Sequence, residues 1–223
     1  MSLTITNASG ERPSVYLYGV IGDDYGGVTS DTFRKELTAI ASKKPIELHI
    51  DSPGGDFFQG VAIHSLLTQR EGRVDVVVDG LAASAGSLVA MAGRSITMSK
   101  YSSMMIHEAQ ANYTPSGRAS DHRKLADLLE AVNNTIVGIY SERWKGSEDE
   151  LRAALDAETW LFADDAVTNG LADDVSEALA IAAKASELKV FNYRHIPDDV
   201  LVPKTPRRDV AAEALKSLGV VVS

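Results

Sequence analysis

The chain has no cysteine, which excludes disulfides, thiolate metal sites and a cysteine nucleophile and is compatible with a reducing cytoplasm. No stretch approaches about 18 consecutive apolar residues, so no membrane span is expected. The opening residues MSLTITNASGERPS lack a basic region followed by an apolar core, so no export signal is expected either. Blocks of Lys and Arg are absent as well. With 22 basic against 31 acidic residues and a net charge of -9, the balance argues against a phosphate-backbone partner, and no nucleic acid is expected. What is present is length: 223 residues are enough to bury one sizeable core and to carry an enzyme active site.

Strand and helix patterns alternate along the chain. After a flexible polar leader, 1–14, residues 15–21 read as a strand. Ser30-Asp31 then precedes a 3.6-residue period through Phe33, Leu37 and Ile40. The unit repeats with a strand at 46–50, the turn Ser52-Pro53-Gly54-Gly55, and a helix carrying Val61, Ile63, Leu66 and Leu67. It repeats again with a strand at 74–78 that runs through Gly80 into a helix ending near Gly93. Short strands follow at 95–98 and 103–106, the second ending at His107. A long amphipathic helix is predicted from Ser120 to about Trp144, and Ser147-Glu148-Asp149-Glu150 reads as a capping box opening a shorter helix. A short strand at 158–162 and a helical turn stopped by Gly170 complete the pattern. Alternation of this kind favours an α/β layer fold with parallel pairing. Residues 176–223, with helices around a Pro-rich linker, read as a C-terminal extension of a body spanning 15–175.

Three places hold residues suited to chemistry. Ser84, in Gly80-Leu81-Ala82-Ala83-Ser84-Ala85-Gly86, stands where a strand gives way to a helix; its hydroxyl could be a nucleophile or simply an N-cap. The Gly-x-Ser-x-Gly nucleophile elbow is not matched, because Ala82 takes the place of the first glycine. The Pro53-Gly54-Gly55 turn allows positive φ and can turn backbone amides toward a developing oxyanion, or it is an ordinary strand-to-helix turn. Ends of neighbouring strands in an α/β sheet share one crevice, which puts both turns in one place. His107 is the one histidine expected at a strand end beside that crevice. His49 lies inside a strand, His64 and His122 lie on helices, and His195 lies in the tail. A carboxylate to orient the imidazole must come from a crowd that includes Asp156, Glu158, Asp164, Asp165, Asp173 and Asp174, and spacing does not choose among them.

Together, Ser-Pro-Gly-Gly at 52–55, Gly-x-Ala-Ala-Ser-x-Gly at 80–86, Met-Ile-His at 105–107 and Ala-Val-x-x-Gly-Leu-x-Asp at 166–173 resemble the Clp protease proteolytic subunit family, ClpP. The resemblance implies a ClpP/crotonase-like α/β fold of repeated β-β-α units with a long handle helix, and cofactor-free, metal-free hydrolysis of peptide bonds. It places the nucleophile on Ser84, the general base on His107 and the oxyanion-binding N–H groups on Gly55 and Ala85. The acid falls on Glu158, one methylene longer than the family's aspartate, with Asp156 as the fallback. Gly54, Glu108, Ala109 and Ala111 would line the substrate groove, the segment from Glu108 to Tyr113 pairing with an extended peptide. Glu108-Ala109 departs from the glutamine and proline usual there. The implied partners are peptide substrates, further copies of the chain in heptameric or tetradecameric rings, and an ATP-driven unfoldase. The Glu158-Thr159-Trp160 context and the long tail are similar to ClpP-like proteases of phages and prophages, assigned to capsid maturation, which would make capsid or scaffold proteins the partners.

Other readings are a non-proteolytic ClpP-like shell component and a crotonase-like acyl-CoA enzyme. The second lacks a basic cluster for the CoA phosphates. A serine-lysine peptidase of the signal-peptidase kind would normally carry a membrane anchor.

Overall fold

The computed structural model describes residues 2–6, 12–23, 26–111 and 116–177, together with Tyr193, Arg194, Ile196, Pro197 and Val200. Its centre is a sheet in the order β1-β2-β3-β4-β5-β8, formed by β1 (Ser2–Thr6), β2 (Ser14–Tyr18), β3 (Ile46–Ser52), β4 (Val74–Ala83), β5 (Ser95–Ser99) and β8 (Asp174–Ser176). Pairing from β2 through β8 is parallel, as the alternation of strands and helices requires. The leader differs from expectation: Ser2–Thr6 is not a loose segment but an edge strand antiparallel to β2. Its alternation Leu3, Ile5 against Ser2, Thr4, Thr6 is a period-2 pattern too short to stand out.

β4 divides its pairing. Asp75 to Val78 lie beside β5, whereas Leu81 to Ala83 lie beside β6 (Ser103–Ile106), which in turn pairs antiparallel with β7 (Thr159–Phe162). Both strand ends that carry candidate chemistry, Ala83 and Ile106, therefore finish side by side.

Helices cover the sheet: α1 (Ser30–Leu37), α2 (Phe57–Thr68), α3 (Ala85–Ala90), α4 (Ala119–Ser141), α5 (Glu148–Asp156) and α6 (Ala163–Asn169). Their ends follow local chemistry. Asp56 caps α2 by accepting from Gln59 N–H at 2.8 Å. Ser147 and Glu150 form the expected capping box at α5, and Gly170 ends α6 at φ 89°. One face of the central strands is fully packed, with Leu17, Leu48, Ile50, Val76 and Val78 in the core. Along β2 and β3 the opposite face is only half buried, and there Tyr18 and His49 both bond the Asp79 carboxylate, at 2.7 and 2.8 Å.

The long helix α4 packs through Val132, Ile136, Val137 and Tyr140 in its C-terminal half, while Leu128 in its N-terminal half is half exposed. No helix among the described residues is long and apolar enough to cross a membrane.

Candidate active site

Ser84 forms the joint between β4 and α3. Its backbone takes φ 53° and ψ -123°, a conformation that L-residues avoid. Among the described residues only one other non-glycine residue has positive φ, and it is Glu158 at 54°. The chain thus makes a sharp strand-to-helix elbow at Ser84 although the elbow motif is not met. Ala82 suffices where a glycine was expected because it is fully buried without needing unusual backbone angles.

The N-cap alternative for Ser84 does not hold. Its side chain makes no cap hydrogen bond, and Oγ lies 2.7 Å from His107 Nε2. The elbow is held by its backbone: Ser84 N–H donates to Met105 O at 2.9 Å, and Ser84 O accepts from the Ser87 and Leu88 N–H groups. Ser87, a residue the sequence patterns did not single out, adds a buried lock. Its hydroxyl lies 2.7 Å from Ser84 O, 2.9 Å from Met105 O and 2.7 Å from the Tyr140 hydroxyl. Burial pushes the Tyr140 phenol well above its usual range, so it stays protonated and can donate to Ser87. Ser87→Ala would strand that buried phenol. The expected cost is about 1–3 kcal/mol, a fall in Tm of roughly 3–10 °C on thermal unfolding followed by circular dichroism.

His107 extends from the end of β6. Burial, the largest influence, holds its imidazole below the ordinary value; the Glu158 carboxylate acts in the opposite sense and the Arg194 guanidinium adds to the lowering. The Gln110 amide lies 3.4 Å from Nδ1. Of the other histidines, His49 belongs to the polar face beside Asp79 and Glu47, His122 is exposed on α4, and His64 sits half buried on α2. His195 lies outside the described residues.

Among the six crowded carboxylates, Glu158 is the buried one, 6% exposed, and its charge acts on His107. Its Oε2 accepts from Arg194 N–H at 2.9 Å, and Oε1 faces Trp160 Nε1 at 3.5 Å. Asp156 is exposed at the end of α5, its side chain 76% accessible and 4.0 Å from Arg194 Nη1. Asp173 is structural: it accepts from Ile96 N–H at 2.7 Å and pairs with Arg143 at 2.6 Å.

The glycine turn lies directly against the elbow. A Cβ on Gly54 would fall 2.7 Å from Ser84 Cβ and 3.0 Å from Ala85 N, so only glycine permits this approach. Gly54 and Gly55 have φ 93° and 141°. The turn is anchored by Ile21 N–H donating to Gly54 O at 2.8 Å and Asp56 N–H donating to Ile21 O at 2.9 Å. Neither Gly55 N–H nor Ala85 N–H is used in a hydrogen bond among the described residues.

From His107 the chain continues through Glu108 to Ala111 without forming a strand of its own. Glu108 N–H donates to Leu155 O at 3.2 Å, and Ala109 N–H donates to the Asn133 side chain at 2.7 Å, tying the segment to α5 and α4. The rest of the expected substrate strand, 112–113, lies outside the described residues.

A hydroxyl bonded to an imidazole, a buried carboxylate whose charge bears on that imidazole, and two amides uncommitted among the described residues, one in the adjoining glycine turn and one at the start of α3, are what acyl transfer through an activated serine requires. The Clp protease family profile matches residues 20–178, and the chain belongs to the Clp protease family. It is a ClpP-like serine protease. The ATP-dependent Clp protease proteolytic subunit 1 of Chlamydia abortus is 33% identical over 135 residues, covering 59% of this chain and 70% of that protein. The proteins of the same name from Leifsonia xyli subsp. xyli and Protochlamydia amoebophila are 31% and 32% identical, covering 66% and 67% of this chain and 75% and 74% of their own lengths.

Proposed function

We propose that the chain is a serine endopeptidase in which Ser84 is the nucleophile, His107 the general base and Glu158 the acid that orients it. The observation that carries this reading is the 2.7 Å contact between Ser84 Oγ and His107 Nε2 at a strained strand-to-helix elbow. Ser84 Oγ attacks the peptide carbonyl carbon while its proton passes to His107 Nε2. The carbonyl oxygen, now an anion, accepts from Gly55 N–H and Ala85 N–H. His107 then gives the proton to the leaving amine, the C–N bond breaks, and an acyl-Ser84 ester remains. Water, deprotonated by His107, hydrolyses that ester and restores the serine. Gly54 and the segment Glu108 to Ala111 flank the elbow and would hold the extended substrate.

Labelling with a fluorophosphonate tests the assignment: mass spectrometry should find one adduct, on Ser84, and none in Ser84→Ala. Absence of labelling in the wild-type chain would favour the shell reading. Glu158→Gln is expected to slow labelling by about 10²–10⁴, given what loss of an orienting carboxylate costs a triad. Asp156→Asn, on the exposed side chain, is expected to leave it within about twofold. The reverse ranking would move the acid to Asp156.

Residues 15–175 form the protease body, preceded by the leader 1–14 and followed by 176–223 as its C-terminal extension. The stripe Leu125, Leu128 and Leu129 on α4, left exposed or half-buried, and the "subunit" in the relatives' names support assembly through that helix, and the family resemblance makes rings of seven or fourteen copies the expected form. Sedimentation that returns only a monomer would overturn it. The relatives' "ATP-dependent" likewise supports an unfoldase partner, while the likeness of the Glu158-Thr159-Trp160 context and tail to phage and prophage proteases is what favours capsid or scaffold proteins as substrates, in the cytoplasm.

A further inference from the structure

Tyr193 and Arg194, two residues of the C-terminal extension, lie against the site. Tyr193 is packed edge-to-face on His107, with ring centroids 5.9 Å apart, and on Trp160 at 5.7 Å. Its hydroxyl donates to Pro53 O, in the turn that carries Gly54 and Gly55. Burial and the nearby Glu158 carboxylate raise this phenol well above its usual range, so it remains a donor. One residue on, Arg194 gives its N–H to Glu158 Oε2 at 2.9 Å and its guanidinium to Asp156 O, also at 2.9 Å. Val200, with Ile196 beside it, closes an apolar cluster with Leu81, Ala83 and Met105, residues at the ends of β4 and β6.

We infer that Tyr193 and Arg194 are positioning residues of the active site, a strap from the C-terminal extension that fixes Glu158 and roofs His107. The inference rests on the Ser84-His107-Glu158 reading. Its physical need comes from the acid: glutamate has one more rotatable bond than aspartate, and a buried carboxylate that is not tied down swings away from its imidazole or loses its charge. The Arg194 main-chain N–H supplies a charge-assisted tie on one carboxylate oxygen while Trp160 Nε1 faces the other. Tyr193 acts differently. It excludes water from the His107 ring and fastens the strap to the glycine turn, so three separate parts of the site are held by two adjacent residues of the tail.

Among the described residues, the groups facing His107 are Ser84 from the elbow, Glu158 from the turn before β7, Gln110 from its own segment, and Tyr193 and Arg194 from the strap. The two halves of the strap should therefore leave opposite signatures. Arg194→Pro removes the N–H, whereas Arg194→Ala keeps it and removes only the guanidinium. Against that reference, Arg194→Pro takes one tie from the carboxylate, loosens its hold on the imidazole and lets His107 titrate lower. Tyr193→Ala admits water to the ring and lets His107 titrate higher, toward its ordinary value.

The experiment uses the full chain, with two readouts: the rate of fluorophosphonate labelling between pH 5 and pH 9, and the His107 titration followed by imidazole NMR. Arg194→Pro is expected to label about tenfold or more slowly than Arg194→Ala, the scale of a hydrogen bond to a charged group. Tyr193→Ala is expected to lose more of its rate at pH 6 than at pH 8, with Tyr193→Phe falling between it and wild type. Equal rates for Arg194→Pro and Arg194→Ala, or an unmoved His107 titration, would overturn the inference. Faster labelling in either variant would overturn it too, since the strap would then be a plug. If Arg194→Pro does not fold, the direction of the Tyr193→Ala titration decides. If the wild-type chain does not label at all, the serine-protease reading fails, and the His107 titrations still decide whether the strap sets the imidazole.

Discussion

His107→Ala is expected to lower peptide hydrolysis by about four orders of magnitude while leaving the fold intact, measured as kcat/KM on a fluorogenic peptide. Among the described residues the ring is the one base within hydrogen-bond distance of Ser84 Oγ, so its removal leaves the hydroxyl at the reactivity of an ordinary alcohol. The same ring sets the pH dependence. It must be neutral to accept the serine proton, and burial holds its pKa below the ordinary 6.5. Wild-type activity should therefore persist below pH 6.5, with the acid limb of kcat/KM falling only at lower pH. The sign for stability agrees. Folding favours the neutral ring, so this contribution is complete above the unfolded value and is lost as the pH falls through the folded one. A limb centred above 6.5 would show that Glu158, rather than burial, governs the ring.

The second large effect concerns the fold as much as the chemistry. In Gly55→Ala the new Cβ would fall 1.9 Å from Ile21 O and 2.9 Å from Ile21 C, at a φ of 141°. Both atoms are backbone, and Ile21 is fully buried, so neither side can give way. The expected loss is about 4–5 kcal/mol or more, in the range reserved for a few severe mechanisms, and reads out as a collapse of Tm or of soluble yield. Gly54→Ala meets Ala83 O at 2.6 Å and Ser84 Cβ at 2.7 Å, so its damage should fall on Ser84 and on the labelling rate. A Gly55→Ala chain that folds with wild-type Tm would show that the turn is far looser than this packing.

Periodicity, caps and glycine stops in the local sequence anticipated β2 to β7 and the six helices among the described residues. Strand ends also sufficed to bring Ser84, His107 and the glycine turn into one crevice. Two edge strands escaped. β1 lies in a polar leader, and β8 has only three residues, Asp174 to Ser176, whose strand character comes from pairing with β5. The preference for Glu158 with Asp156 as the fallback came from family resemblance; that Glu158 is buried and accepts from Arg194 N–H is something no local pattern encodes. Ser87, Tyr140 and Asn133 escaped for a related reason. Each is an ordinary helix residue in sequence, and its role depends on a partner 24 to 53 positions away. The tail itself reads as a detached arm because its contacts are distant: Tyr193 bonds a residue 140 positions earlier.

The divided pairing of β4 bears on how the protein opens. Its first half is held between β3 and β5 and its second half is bonded to β6, with Ser84 N–H continuing that ladder onto Met105 O. Segments that fray independently exchange their amide hydrogens quickly, whereas amides freed only by whole-molecule unfolding exchange slowly. The Ser84 amide belongs to the slow class on this geometry, as do those of Val76 and Val78. The backbone of Ser84 is thus tied into the ladder of the central sheet, and its alignment persists for as long as the sheet does.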